Sequence, residues 1–180
     1  MSPISSGRAL GLQDVTRTSA SDVEPTPARR RAEDGQVFEE LYPSLRRFAA
    51  ACGGVNVDPD DLVQEAVART LARHHLSDIE HPGAYLRQAI LNVARTTARS
   101  PATTTIEASH DPSGADFYPS DLSILDQLSP STRAAVFLRY VDRVSLRDGA
   151  KILGCSPAAL RFRAARGRMK LQRLTEGDSE

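Results

Sequence analysis

The chain has 180 residues, 40% of them hydrophobic, and its 23 Lys/Arg balance its 23 Asp/Glu. That is material for one medium domain or two small ones and gives no argument for global disorder. No apolar run is long enough to span a bilayer and the amino terminus lacks a signal-peptide core, so a cytoplasmic protein is expected.

Residues 1–35 mix five acids with five Arg among many Ser, Thr, Gly and Pro, and no apolar period persists there. A disordered leader is the expectation, with Arg29, Arg30 and Arg31 a solvated basic run. Residues 36–100 read as a helical unit. Phe38, Leu41, Tyr42, Leu45, Phe48, Ala49 and Cys52 form a stripe that ends before Gly53-Gly54. A second helix has Asp58 as N-cap and Pro59 at its first position, with Leu62, Val63, Ala66 and Leu71 facing inward. Asp60, Asp61 and Glu65 gather near its start, where the helix dipole favours negative charge. A third helix, with Leu86, Ala89, Ile90 and Val93 buried, stops before Pro101. Between His81 and Ser100 it carries Arg87, Arg95 and Arg99 and no acid. The unit is thus polarised between a carboxylate-rich helix and a basic one, which suits protein on one face and DNA on the other.

Residues 101–121 hold three prolines, four acids (Glu107, Asp111, Asp116 and Asp121) and no Lys or Arg. A structureless connection of this length is unusual inside one compact domain, so it is expected to be a flexible acidic linker between two domains. The second unit, 122–174, holds eleven Lys/Arg against three acids, a net of eight positive charges that the neutral whole conceals. Its SLRDGAKILGCSPAALRFRAARGRMKLQRL segment reads as a helix-turn-helix. Ser145 caps the first helix with Asp148 three residues on, Gly154 closes it in a left-handed conformation, and Ser156 and Pro157 open the second. Leu160, Ala164, Gly167 and Leu171 make the second helix's inward stripe. Arg161 and Arg168 flank it on one side, Arg166 and Lys170 on the other, and Phe162 faces away. That arrangement suits a helix lying between two phosphate backbones. Residues 175–180 are expected to be a disordered tail. The fold class is therefore all-α: two small helical domains, the second a helix-turn-helix.

No glycine-rich phosphate loop and no nucleophile–base–acid constellation appears, so no catalysis and no cofactor is expected. Cys52 and Cys155 are too isolated for a disulfide framework and are expected to be small buried residues. His74, His75, His81 and His110 lack metal-ligand spacing with them, so no metal is expected. Two functions fit these features. One is a DNA-binding transcription regulator whose residues 36–100 serve as a dimerisation or sensor domain; the other depends on a family resemblance.

DPDDLVQEAVARTLARH, HPGAYLRQAILNVARTTARS and LDQLSPSTRAAVFLRYVDRVSLRDGAKILGCSPAALRFRAARGRMKLQ, in that order, resemble three segments of the group-four, extracytoplasmic-function (ECF) sigma factors of the sigma-70 family. The AYLRQAILN and ARGR details look actinobacterial. The resemblance covers 36–100 and 122–174. It implies a specificity subunit that brings core RNA polymerase to promoters and helps melt them.

The first segment resembles the helix that docks on the β′ clamp helices, which implies polymerase contacts for Asp61, Gln64, Glu65 and Arg69. The second resembles the part that captures the −10 element. Asn92 matches its characteristic asparagine, and Tyr85, Arg87, Arg95 and Arg99 join it as DNA candidates. Tyr85 stands where the family often has Trp, and Thr96 where it often has Asp. The third resembles the −35 reader, with Ser156, Ala158, Ala159, Arg161, Phe162, Arg163, Arg166, Arg168 and Lys170 as DNA candidates. The implied partners are core polymerase (β′ clamp helices and β flap), promoter DNA and, as for many members, an anti-sigma protein. The protein would be cytoplasmic and nucleoid-associated in holoenzyme. The linker resembles the segment that threads near the polymerase active centre and RNA exit channel. Gly149 replaces the family's usual Ile or Val core residue. Such a loss costs about 1–4 kcal/mol in burial and cavity, so either Leu146 and Phe137 fill the space or the domain is marginal until bound.

Overall fold

The computed structural model describes residues 26–55, 57–99 and 123–177. In chain order these form α1 (Pro27–Gly53), α2 (Pro59–Leu71), a 3-10 turn (Leu76–Asp78), α3 (Pro82–Thr97), α4 (Ser123–Asp126), α5 (Pro130–Val136) running into a π-helical turn (Phe137–Val141), α6 (Leu146–Leu153) and α7 (Pro157–Gly177). The all-α class and the carboxy-terminal helix-turn-helix are as expected. The expected linker, 101–121, lies outside the described residues.

Local chemistry sets most helix starts. α1, α2, α3, α5 and α7 each begin at a proline, whose missing N–H is one of the first-turn donors that a helix leaves unpaired. Asp58 accepts the Asp60 amide at 2.8 Å. Ser145 accepts the Asp148 amide at 3.1 Å while its hydroxyl donates to the Asp148 carboxylate at 2.6 Å. Gly154 closes α6 at φ 65°, a left-handed conformation that glycine adopts without a Cβ clash.

Two boundaries differ from expectation. α1 starts at Pro27, so residues 27–35 belong to a helix and not to the leader. Asp34 anchors this extension. It is buried and accepts from His75 Nδ1 at 2.8 Å and from the Ser77 amide at 3.1 Å, while Arg30 pairs with Asp78 at 3.4 Å. These partners lie more than 40 residues away and leave no local trace. At the other end, α7 continues to Gly177, three residues past the expected limit.

α1, α2 and α3 pack on one another, and α7 packs across α5 and α6. The two units also pack together: α5 lies against α1 and α3, and α6 against α3. The buried residues form one continuous cluster from Leu45 and Phe48 through Leu86 and Ile90 to Leu138, Ile152 and Leu160. Phe48 and Phe137 meet edge to face across the junction, with centroids 6.0 Å apart. Fully burying one such side chain stabilises by about 1.5–3 kcal/mol.

Inside the cores three expectations change. Leu71 is 44% exposed, and Thr70 takes the inward place with its hydroxyl on the Ala66 carbonyl. Cys155 is only half-buried, whereas Cys52 is fully enclosed and burial pushes its thiol well up from the ordinary cysteine value. Gly149 leaves no hole. A Cβ there would stand 2.8 Å from Leu160 Cδ2, so a methyl from α7, and not Leu146 or Phe137, occupies the space. Gly167 works the same way at the α5–α7 crossing, against Val136 Cγ2 and Thr132 Cγ2.

Candidate polymerase and nucleic-acid interfaces

The buried face of α2 (Leu62, Val63, Ala66 and Thr70) is locked against α1 and α3, which turns Asp61, Gln64, Glu65 and Arg69 to the exterior. Glu65 and Arg69 pair one turn apart at 2.6 Å; an exposed pair of this kind contributes only a few tenths of a kcal/mol. Asp60 belongs to a different arrangement. It accepts from the Tyr42 hydroxyl at 2.7 Å and from Arg46 Nε at 3.0 Å, tying α2 to α1. The hydrogen bond to this carboxylate, reinforced by burial, raises the Tyr42 phenol above its ordinary value. The outward-facing acids of α2 are therefore Asp61 and the Arg69-paired Glu65, continued toward the carboxy end by exposed Leu71.

On α3 the five candidates separate. Tyr85 is exposed and rests edge-on against His74, with centroids 5.9 Å apart. Asn92 is exposed and its side-chain oxygen accepts from Arg95 Nη1 at 3.3 Å. Arg99 is exposed. Arg87 and Arg95 turn toward the carboxy-terminal unit. Arg87 Nη2 meets Asp142 Oδ2 at 3.4 Å, leaving its buried Nε without a partner, and Arg95 Nε donates to Ser131 Oγ at 2.8 Å. Burial, with Arg163 and Arg99 nearby, lowers the Arg95 guanidinium from its ordinary value. Reading the sequence for charge missed Asp142, Ser131 and His74. None of the three shares a helix face with its partner, so no spacing pointed to them.

On α7, Leu160, Ala164 and Gly167 are buried and Leu171 is half-buried. Ser156 accepts the Ala159 amide at 3.2 Å, which squares off the start of the helix. Ala158, Arg161, Phe162, Arg166 and Arg168 are exposed, Phe162 by 68%, while Ala159 and Arg163 are half-buried. Arg168 lies over the Tyr140 ring, 5.5 Å from its centroid, a cation–π contact. Lys170 donates to the Gln127 carbonyl at 2.6 Å, so it ties α7 to the end of α4. Beside the turn, Arg147, Ala150, Lys151, Gly154, Cys155 and Pro157 line an open depression of about 400 Å³. The exposed face of α7 is thus a stiff surface carrying cations and one aromatic ring. Among the described residues, no helix is long and apolar enough to cross a membrane.

Two family models match this architecture: "Sigma-70 region 2" over residues 37–103 and "Sigma-70, region 4" over residues 122–171. The ECF RNA polymerase sigma factor EcfG of Rhodopseudomonas palustris (strain TIE-1) is 30% identical over 148 residues, 73% of this chain and 79% of that protein. Among solved structures, the sigma factor RpoE of Bartonella quintana, in complex with the anti-sigma factor NepR, is alike in fold. Its TM-score is 0.60 at 22% identity, over 80% of this chain and 97% of that one. CnrH, in complex with the cytosolic domain of CnrY, gives 0.58 at 26% identity, over 83% and 91%. With both sigma-70 regions in order and a curated ECF relative spanning most of each chain, the reading as a regulator independent of polymerase falls away. The chain belongs to the ECF family of sigma-70 factors, non-catalytic subunits that recruit RNA polymerase and engage promoter DNA.

Proposed function

We propose a division of labour between three surfaces. The exposed acidic face of α2, with Asp61, Gln64, Glu65 and Arg69, docks on the β′ clamp helices. Residues on α3, with Asn92 and Tyr85 foremost and Arg87, Arg95 and Arg99 beside them, hold the melted −10 strand, where aromatic stacking and polar contacts to an extruded base offset the cost of unstacking. The start of α7 reads the −35 element, with Ala158, Ala159, Arg161 and Phe162 at base edges and Arg163, Arg166 and Arg168 toward phosphates. The two functional units are 36–100, with α1 reaching back to Pro27, and 122–174, with α7 continuing to Gly177; the acidic stretch between them serves initiation and the β flap receives the carboxy-terminal unit.

The observation that carries this reading is the two-faced build of α7. Its Leu160–Ala164–Gly167 face is fixed in the core, so Arg161, Phe162 and Arg166 are presented on a rigid outer face. The AYLRQAILN and ARGR details support an actinobacterial subtype, and the cytoplasm is the compartment where its polymerase partner works. The RpoE and CnrH structures, each solved with a partner protein, support an anti-sigma partner of similar kind here.

Binding of purified chain to core polymerase tests the docking surface. Charge reversal at Asp61 or Glu65 should weaken association about tenfold or more with helix content unchanged. Undiminished binding of both variants would remove α2 from the interface.

A further inference from the structure

His74 and His75 are neighbours in sequence but serve different elements. His75 Nδ1 donates to Asp34 of α1 at 2.8 Å, and the Ser77 amide donates to the same carboxylate at 3.1 Å. His74 turns to α3 instead, where its ring meets Tyr85 edge-on, with 5.9 Å between centroids and 77° between planes. Both rings belong to parts of the chain that the backbone holds in place. The His74 amide donates to the Thr70 carbonyl at 2.9 Å, which fixes His74 to the end of α2. The Tyr85 amide donates to the His81 carbonyl at 3.1 Å, which fixes Tyr85 in the first turn of α3. Between them, Leu76 is fully buried and Arg30 of α1 pairs with Asp78 at 3.4 Å. The connection from α2 to α3 is thus pinned from three sides.

On its own helix Tyr85 has little to lean on. Its helical neighbours three and four residues away are Pro82, Gln88 and Ala89, which offer no ring. Contact with His74 restricts the tyrosine without covering it, since Tyr85 remains 37% exposed. A side chain that is ordered only on binding gives up rotamer freedom at that moment, and a neighbour that orders it beforehand removes the cost.

We infer that His74 is a positioning residue for Tyr85: its ring sets the tyrosine in the orientation that stacks on an unpaired base, and Asp34, through His75 and Ser77, holds the loop that carries it. The inference rests on the reading of Tyr85 as a strand-binding ring. Base–aromatic stacking needs a ring face turned to the strand, and an edge-to-face partner fixes which way that face is turned. Asp34 then contributes to promoter opening from α1, at the far side of the loop, through the two histidines.

The test uses holoenzyme reconstituted from core polymerase and the full chain, on a duplex promoter that the wild-type holoenzyme selects from a genomic library. Permanganate oxidation of unpaired thymines reads opening, and core-polymerase affinity is measured in parallel. His74 is exposed, so its replacement leaves both cores intact. His74→Ala should lower opening about three- to tenfold, the range that an edge-to-face ring pair supplies, with helix content and core affinity unchanged. His74→Phe keeps a ring at the position and should recover most of that loss. In a Tyr85→Ala background His74→Ala should have no further effect, because its route to the strand is gone. Asp34→Asn should lower opening by a smaller factor and lose its effect in the same background. Unchanged opening by His74→Ala beside a clear loss by Tyr85→Ala overturns the inference. So does equal loss by His74→Phe and His74→Ala, since the ring would then not be what acts. An additive loss in the double variant would give His74 a contact of its own, and a drop in core affinity would make it a polymerase contact; either overturns the positioning role. Normal opening by Tyr85→Ala is the separate failure: it withdraws the strand-binding assignment of Tyr85, and the inference with it.

Discussion

Leu160 of α7 holds a methyl where Gly149 of α6 would otherwise carry its side chain, 2.8 Å from the Cβ position. The glycine is the condition for a close crossing between the two helices of the helix-turn-helix. A missing core side chain has become a short inter-helix distance.

Gly149→Val should therefore destabilise the protein by about 1–3 kcal/mol through overpacking against Leu160, despite its better helix propensity. Combining it with Leu160→Ala should cost less than the sum of the two single changes, because the cavity left by Leu160 receives the new side chain. Urea unfolding monitored by circular dichroism measures both. Strict additivity would mean that the two residues do not share the space.

The Asp126–Arg133 pair is asymmetric: Arg133 is 6% exposed while Asp126 lies at the rim. Asp126→Ala leaves a buried cation without its counter-charge and should cost about 2–4 kcal/mol. Arg133→Met replaces the cation with an apolar chain of similar length and should cost about 1 kcal/mol or less. The reverse order in thermal unfolding would show that water reaches Arg133 freely.

Asp34 should make the anchoring of α1 sensitive to acid. Burial by itself would raise its carboxyl, but hydrogen bonds from His75 and from the Ser77 and Leu76 backbone outweigh it and hold the group below the ordinary value of 3.8. A carboxyl lowered by folding stabilises fully above its unfolded value and loses that contribution as pH falls through the folded one. Wild-type stability should thus drop between about pH 4 and lower values in a way that Asp34→Asn lacks, with hydrogen exchange of the Ser77 amide following the same titration. Parallel acid profiles for the two proteins would argue against the anchor.

On α7, charge and code separate by position. Arg161→Ala should reduce transcription unevenly across promoters with single −35 base changes, since a bidentate contact to guanine is worth about 1–3 kcal/mol of discrimination. Arg166→Ala should weaken all promoters alike and lower the salt slope by about 0.9. Lys170→Ala should lower both stability and promoter affinity, because one N–H of its exposed ammonium is held by the Gln127 carbonyl while its charge and two further donors stay available to a phosphate. A uniform loss for Arg161→Ala would make it a phosphate contact.

What could be read from the residues in order was whatever depends on neighbours within about one helical turn. The prolines at helix starts, the Asp58, Ser145 and Ser156 caps and the left-handed Gly154 are local, as is the Leu160–Ala164–Gly167 stripe, and all stand where the spacing put them. The exposed candidates Asp61, Glu65, Asn92, Arg161 and Phe162 follow, because fixing one face of a helix determines the other. The tertiary structure decided the remainder. Leu71 continues the apolar period of α2 yet stands in the open, since periodicity does not say how far a neighbouring helix extends. The leader turned helical at Pro27 because Asp34 finds His75 and Ser77 across the fold. Arg87 and Arg95 were legible as cations on a basic helix, but their partners Asp142 and Ser131 belong to another unit, 55 and 36 residues on. Such pairs form only once both cores have folded and their apolar faces have met, so no local pattern records them.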